Sequence, residues 1–430
     1  MSLAASTAAS ELPPPALSPA ERRVVLAAAF LCWLGAGVQM GLVQLSSRPA
    51  LVAMFQRADG ATEGDAYAAD EKRVGDGFAR QLAALQFGAA VGGVLFGRRA
   101  DRRGRSHAMG LSVLCYSLCA GAAFFAQSPT QLLFTRFLTG LGIGGAWPTA
   151  VALAGEAWPN AAKPKVAGVI GVAANLGILL VAHIASEFAI TTSTWRVAVL
   201  FGAGPALLGI LVFALLPESP SWLATRTSKS AAAKSAAPVR ELFRPALLRN
   251  TLIGIALATV PLLGAWGSSK WMFPWADKVA HNQAETQAVW AYGAVIASAL
   301  GGWIADLCGR RITYFTVSLA SLVINLCVYQ FLQPGDPLFL PAVFFVGLSG
   351  TLFFGWLPLY LPELFPTAVR ATGIGLTYNS GRIATAFGIL GAGLLMQTFD
   401  GKYELVGTTT SCVYALGMIV ILFAPAAGKK

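Results

Sequence analysis

Residues 97–105 read GRRADRRGR, and residues 302–311 read GWIADLCGRR. Glycine, aspartate and arginine keep their order and nearly their spacing in the two stretches. A second pair of motifs, EAWP at 156–159 and ELFP at 363–366, is separated by almost the same offset, and a basic residue (Lys163 or Arg370) stands four positions after each proline. Two motifs that recur with nearly one offset predict a chain built from two homologous halves.

Long apolar runs flank these motifs and fill most of the remaining chain. Of the 430 residues, 56% are hydrophobic and 12% are charged, and the mean hydropathy is +0.63. Soluble domains carry about 25% charged residues, whereas a helix of about 20 apolar residues crosses ~30 Å of hydrocarbon. Lipid requires backbone groups to be satisfied within the segment, and weak two-residue alternation argues against a β-barrel. The sequence therefore predicts an all-α membrane protein of twelve transmembrane helices, at residues 24–47, 77–97, 107–127, 132–154, 165–188, 195–216, 250–274, 284–307, 312–332, 338–361, 371–397 and 403–425.

Basic residues are concentrated in alternate connecting segments, which explains the net charge of +11 without nucleic acid as a partner. The positive-inside rule places these segments and both termini in the cytoplasm. Both halves then start on one side, as parallel six-helix repeats. The predicted organisation is a disordered tail at 1–20, an N-terminal bundle at 21–216, a cytoplasmic linker at 217–249 and a C-terminal bundle at 250–430.

The opposite side of the membrane carries mostly acidic residues in its first connecting segment. Charge runs are usually solvated, so we expect these acids to form a solvated surface; they are Asp59, Glu63, Asp65, Asp70, Glu71 and Asp76. The six cysteines lack metal-ligand spacing, and the sequence predicts no metal and no cofactor.

The paired motifs resemble those of the major facilitator superfamily, and the resemblance covers the chain after residue 20. It implies that each 97–105 type motif is a cytoplasmic latch: its aspartate meets the positive end of a helix in the other half, and its arginines pair with acids. Such a latch favours the outward-open state and breaks when the protein opens inward. The alternative is that these arginines only set topology. The gate residues implied by the resemblance are Asp101, Arg102, Arg105, Glu156, Glu218, Asp306, Arg310, Glu363 and Arg370.

The stretch PESPSWL at 217–223 resembles a signature after helix six of the sugar-porter, organic-ion and aromatic-acid branches. Ser221 stands where those branches have arginine, which weakens any ion pair there. Arg136 with Gly140, Gly142 and Gly144 resembles the arginine-and-glycine motif of helix four. Glycine lets helices approach closely, so packing alone explains these three glycines.

Charged residues at membrane depth are costly and point to function, and here they are basic. Arg382 lies near the midplane of helix eleven, where this class of protein binds cargo; the alternative is a buried arginine bonded to backbone carbonyls of a neighbouring helix. Arg48, Arg136 and Lys270 lie nearer the outer ends, where the two arginines can snorkel to water and Lys270 has tryptophans beside it. Glutamine and asparagine side chains at similar depth could contact cargo or join helices. The substrate-binding candidates are Arg382, Gln39, Gln44, Arg48, Gln86, Arg136, Asn175, Trp266, Lys270, Trp271, Tyr378 and Asn379.

Fixed cations without matching anions favour negatively charged cargo, because arginine can hold a carboxylate with two hydrogen bonds. We therefore expect a secondary active transporter of a small organic anion (a carboxylate, sugar acid or aromatic acid), with proton symport as in the branches it resembles. Helices one to twelve offer no mid-membrane carboxylate, so the proton carrier is open; Glu156 or the anion itself could serve. The alternatives are a neutral sugar or organic cation transporter, or a membrane sensor without transport activity. The three histidines fit no hydrolase pattern, which argues against an enzyme. We expect a monomer in the bacterial inner membrane.

Overall fold

The computed structural model describes residues 17–61, 69–158, 163–227, 239–366 and 369–425. The predicted tail up to residue 16, Glu63, Asp65 and residues 228–238 of the predicted linker lie outside the described residues. The described residues form sixteen α-helices joined by turns and short 3-10 or π segments. The helices are α1 Pro19–Ala58, α2 Glu71–Arg103, α3 Arg105–Ala122, α4 Pro129–Ala157, α5 Lys163–Glu187, α6 Trp195–Phe201, α7 Ala206–Leu215, α8 Pro220–Thr227, α9 Pro245–Leu263, α10 Met272–Ala280, α11 Gln283–Cys308, α12 Arg310–Phe331, α13 Phe339–Tyr360, α14 Arg370–Thr398, α15 Tyr403–Ser411 and α16 Val413–Phe423.

Eleven segments within the described ranges are long and apolar enough to cross a membrane. Three of them are composite, because α6 with α7, α9 with α10, and α15 with α16 each make up one span from two consecutive helices. The twelfth span is α14, whose 29 residues are long enough but include Tyr378, Asn379 and Arg382. The predicted twelve-helix fold is confirmed.

Two helices extend beyond their predicted ends. Helix α1 continues to Ala58, so that Arg48 lies inside the helix rather than at its end. The seventh span continues to Ala280 and is broken: α9 ends near Pro261, residues 264–268 form a π-helix, and α10 follows after one 3-10 turn. Proline removes a backbone hydrogen bond, which accounts for the break.

Glycines hold the helices of each half together. A Cβ on Gly144 of α4 would lie 2.0 Å from the carbonyl oxygen of Ala89 in α2, and one on Gly347 of α13 would lie 2.0 Å from that of Trp290 in α11. Only glycine permits such a backbone approach, so the predicted packing role of the helix-four glycines is confirmed. The equivalent pairs α2–α4 and α11–α13 reflect the internal repeat.

The two halves meet along two helix pairs, α2 with α14 and α5 with α11. We call the end of the bundle that carries Asp101, Glu156 and Arg310 the terminal face, because α1 begins and α16 ends there. The opposite end, with Arg48 and the C-terminus of α14, is the distal face. Every transport-related side chain below lies at one of these faces or between them.

Candidate transport site

The repeated motifs form the same ion-pair geometry at the terminal face of each half. In the N-terminal half, Arg105 bonds Asp101 at 2.5 Å and Glu156 at 3.5 Å. In the C-terminal half, Arg310 bonds Asp306 at 2.7 Å and Glu363 at 3.4 Å. Aspartate and arginine four residues apart face each other across the motif turn, and the glutamate comes from the end of the neighbouring helix. The expected arginine–glutamate pairs are therefore present in both halves.

Glu218 of the PESPSWL stretch binds the start of α3. Its carboxylate accepts hydrogen bonds from the backbone N–H groups of Arg105 (2.7 Å) and Ser106 (3.2 Å) and from the Ser106 hydroxyl (2.8 Å). A carboxylate at a helix N-terminus is favourable. Trp222 donates its indole N–H to the carbonyl of Asp101, so this stretch is fixed to the N-terminal half.

The residues that the structure describes do not form the latch that the resemblance implies between the halves. Asp101 bonds within its own motif, Arg102 is exposed, and Arg370 donates to the carbonyl of Phe365 in its own half. Among the described residues, no hydrogen bond or ion pair connects the repeated motifs of the two halves. Whether these residues act as gates stays a prediction.

The distal face is sealed by a cluster of charges that joins the halves. Arg48 of α1 bonds Glu71 at the start of α2 and Asp277 of α10, each at 2.6 Å. Tyr403 of α15 donates its hydroxyl to Glu71 at 2.8 Å. The side chains of Arg48, Glu71 and Asp277 are only 13–15% exposed. We call these four residues the distal cluster.

This arrangement corrects two expectations. Glu71 is not part of a solvated acidic surface, because it is nearly buried against Arg48. Arg48 does not snorkel to water, because both of its terminal nitrogens bond carboxylates. The other described acids of that segment lie nearer solvent: Asp59 pairs with Arg73, Asp70 caps α2, and Asp76 pairs with Arg80.

Further contacts between the halves continue from the distal face to mid-depth and stop there. Tyr292 of α11 bonds His183 of α5 at 2.9 Å, and Asn175 of α5 donates to Ser298 of α11 at 2.6 Å. In the second helix pair, a Cβ on Gly93 of α2 would lie 3.1 Å from the Asn379 side chain of α14. The side-chain contacts between the halves that the described residues make therefore lie at the distal face and at mid-depth.

Arg382, the first candidate for contact with cargo, is 8% exposed and lies at the interface between α14 and α2. One of its terminal nitrogens donates to the carbonyl of Ala89 at 3.1 Å, and its guanidinium lies 5.1 Å from the Tyr378 ring. The contact with a neighbouring backbone carbonyl is the alternative arrangement considered above. Tyr378 and Asn379 are half-buried beside it.

Three other predicted candidates are buried inside the N-terminal half, and two of them bond across helices. Arg136 is 1% exposed and donates to the Ser46 hydroxyl at 2.8 Å, so the expectation that it snorkels is wrong. Gln39 donates to the carbonyl of Gly202 at 2.6 Å. Gln86 is buried, and its side-chain nitrogen has no partner among the described residues.

Lys270 occupies a cage of aromatic rings. Its ammonium nitrogen lies 3.3 Å from the centroid of the Trp290 ring, 4.9 Å from that of Phe273 and 5.8 Å from that of Trp266. The side chain is 2% exposed and has no hydrogen-bond partner among the described residues. Ring faces attract a cation but offer it no hydrogen-bond acceptor, so the three N–H donors of Lys270 remain available.

Buried amides without partners lie next to this cage. Gln287 is one turn before Trp290 on α11, and its side-chain nitrogen lies 3.0 Å from where a Cβ on Gly41 of α1 would be. Gln44 is one turn after Gly41, and both glutamines are at most 1% exposed. Neither amide, nor the indole N–H of Trp290, has a partner among the described residues. Buried polar groups are normally paired, so this concentration of unpaired groups is typical of a ligand or water site.

Trp271 does not share the cage. It is 1% exposed and packs against Phe78 of α2 and Tyr403, with ring centroids 5.4 and 6.0 Å away. Its indole N–H is satisfied by the carbonyl of Gly267. It therefore helps to close the distal face.

Sequence reasoning missed five residues of these two sites: Glu71, Asp277, Tyr403, Gln287 and Trp290. Gln287 and Trp290 stand one turn apart on one helix face, as polar and aromatic residues in an apolar span, and that spacing could have indicated a site. The distal acids carry no such signal, because Arg48 and Asp277 are 229 residues apart.

Fold and site together define a polytopic membrane transporter with two halves around a polar interface. Residues 62–250 match the family model described as "Sugar (and other) transporter". The inner membrane metabolite transport protein YhjE of Escherichia coli is 30% identical over 77% of this chain and 80% of its own. The chain belongs to the major facilitator superfamily. It is a transporter and not an enzyme.

Other relatives have more specific names. The probable 4-methylmuconolactone transporter of Cupriavidus pinatubonensis is 28% identical over 78% of both chains. The cis,cis-muconate transport protein of Acinetobacter baylyi is 28% identical over 78% of this chain and 82% of its own. The inward-open structure of the xylose transporter XylE from E. coli has a TM-score of 0.75 over 95% of this chain and 98% of that chain, at 16% identity, which is a likeness of fold.

Proposed function

We propose that this protein is a proton-coupled symporter that carries an organic anion across the bacterial inner membrane by alternating access. The observation that carries the proposal is Lys270, a buried cation without an anionic partner among the described residues. Burying an unpaired charge is costly, so a site that keeps one favours a ligand of opposite charge. The name of the muconate relative supports this class of cargo, since muconate is a carboxylate anion.

The cage also limits the shape of the anion. Trp290, Phe273 and Trp266 surround the ammonium with flat apolar faces, while Gln44 and Gln287 add donors and acceptors nearby. A carboxylate on Lys270 with an unsaturated or aromatic body against the rings satisfies both kinds of group. Arg382, at the contact of α14 with α2, is a second buried cation and the competing position for the carboxylate.

The terminal face is taken as cytoplasmic, because the basic segments connect helices at that end. With this orientation, the distal cluster closes the outer side, and the terminal face, where no described side-chain bond joins the halves, opens inward. The described state is then inward-facing. Proton coupling is supported by two nearly buried carboxylates at the outer end.

The test is uptake of radiolabelled cis,cis-muconate, benzoate and nicotinate into proteoliposomes, with and without an inward proton gradient. Lys270→Met removes the ammonium and keeps the apolar stem, and we expect a loss of about tenfold to a hundredfold in uptake, the range for a hydrogen bond to a charged group. Lys278→Met makes the same change at an exposed lysine of the same span and should leave uptake unchanged.

Arg382→Gln in the same assay separates the two cations. Loss in Lys270→Met alone places the carboxylate at Lys270, and loss in Arg382→Gln alone places it at Arg382. Normal uptake by both variants would remove the anion-site proposal. Uptake by the unsubstituted protein that ignores the proton gradient would remove the symport proposal.

A further inference from the structure

The distal cluster contains one positive and two negative side chains. Arg48 uses one terminal nitrogen for Glu71 and the other for Asp277, and its Nε has no partner among the described residues. With both carboxylates ionised, the cluster carries a net charge of −1 in a nearly buried place. Burial of a net charge is costly, whereas a compensated set costs much less.

The three charges are divided unequally between the halves. Arg48 and Glu71 belong to α1 and α2, and they stay together when the halves separate. Asp277 belongs to α10, and Tyr403 to α15 of the same half. Opening the distal face therefore breaks the Arg48–Asp277 and Tyr403–Glu71 bonds, leaving a neutral pair on one side and a hydrated carboxylate on the other.

His281, four residues after Asp277, interacts electrostatically with that carboxylate, while the other neighbouring charges do not compensate the cluster at close range. Most are exposed, and they pair with each other: Lys72 with Asp400, Arg73 with Asp59, and Arg80 with Asp76. The pKa of Asp400 is lowered by its hydrogen bond to Lys72, so this acid stays ionised while the solution is near neutral. The other described titratable or charged groups at this end are exposed or half-exposed; they are Arg57, Asp70, His183, Glu187, Arg196, Lys278, His281, Glu285, Asp336, Lys402 and Glu404.

We propose that closing the distal face takes up one proton from the outer solution, shared by Glu71 and Asp277. The proton adds to a carboxylate oxygen and makes the sealed cluster neutral. Asp277 couples proton uptake to closure of the distal face. Its carboxylate is hydrated when that face is open and bonds Arg48 when it is closed. This inference rests on the proposed function only in assigning the proton to the transport cycle.

The experiment needs no cargo. Spin labels are attached to Ala58→Cys in α1 and Val279→Cys in α10, two exposed positions at the distal face on opposite halves. The six native cysteines are replaced by serine. Pulsed electron paramagnetic resonance then measures the label separation in lipid nanodiscs from about pH 5.5 to about pH 8. We expect the population with the short distance to grow as the pH falls. The equilibrium constant for closing the distal face should rise by at most tenfold for each pH unit, because one proton is bound on closing.

Three variants decide the outcome. Asp277→Asn and Glu71→Gln each make the cluster neutral without a proton, so both should stay closed and lose the pH dependence. Asp400→Asn changes an exposed acid at the same face and should keep the wild-type slope. Wild-type distances that ignore pH, neutral variants that keep the wild-type slope, or an Asp277→Asn variant that stays open at every pH would each overturn the proposal. Because no cargo is present, a failed muconate uptake assay leaves this result interpretable.

Discussion

The two ends of the molecule use arginine–carboxylate pairs in opposite ways. At the terminal face, Arg105 and Arg310 each bond acids of their own half, with the same geometry in both repeats. At the distal face, Arg48 bonds one acid of its own half and one of the other. Pairs within a half stabilise a rigid unit, whereas pairs between halves stabilise one state of the transport cycle. The location of the shared arginine therefore identifies which end is closed.

The largest expected effect comes from removing the shared arginine. Arg48→Met leaves Glu71 and Asp277 without their common partner, and breaking a buried ion pair in this way costs about 3 kcal/mol or more. The distal-closed state should lose more than a hundredfold in population. The label pair at positions 58 and 279 measures this loss as a longer distance.

Arg57→Met is the matched control, since Arg57 is exposed and bonds Gln127 of its own half at the same end. If the Arg48→Met variant kept the short distance between the labels at positions 58 and 279, the distal cluster would not be what holds the distal face closed.

An intermediate effect is expected at mid-depth, where the contacts between halves end. Asn175→Ala removes the hydrogen bond to Ser298 and should cost the described state about 1 kcal/mol, the usual net value of one hydrogen bond. The same label pair should show a five- to tenfold shift towards the distal-open state. Thr259→Ala, which loses only a bond to its own helix, should leave the distribution unchanged; an equal shift in both variants would contradict a specific contact.

The smallest effect is expected at the terminal face. Arg310→Met removes a partly exposed pair with Asp306 and Glu363 inside one half, worth less than about 1 kcal/mol. The described state should keep its distal distance, and thermal unfolding should change by a few degrees at most. A large shift in the distal distance would mean that the terminal-face pairs already connect the halves in this state.

The fold and the terminal face were predictable because their signals are local or repeated. Asp101 and Arg105 lie four residues apart on either side of the turn at Gly104, a spacing short enough to bring their side chains together, and the second repeat carries the same pattern. The length needed to cross a membrane predicts the helices, including α14, whose polar residues, among them Tyr378, Asn379 and Arg382, lower its hydropathy without shortening it.

The distal cluster and the cage were less accessible from sequence. Glu71 stands among acids that lie nearer solvent, and no local feature distinguishes the one that Arg48 reaches. Around Lys270, the π-helix changes the helical register, so that neighbours in sequence separate: Trp266 lies in the cage, whereas Trp271 turns towards Phe78. Gln44 and Gln287 lie near each other because the two halves meet there. A local sequence pattern does not show which residues of the two halves come together.

The break in the seventh span has a mechanical consequence. A continuous α-helix resists bending, but residues 264–268 interrupt its hydrogen-bond ladder near Pro261 and so provide a joint. Lys270 and Asp277 are both on the short arm beyond that joint, two turns apart. Tilting this arm moves Lys270 and Asp277 together. A cargo anion that shifts Lys270 therefore also shifts Asp277 relative to Arg48.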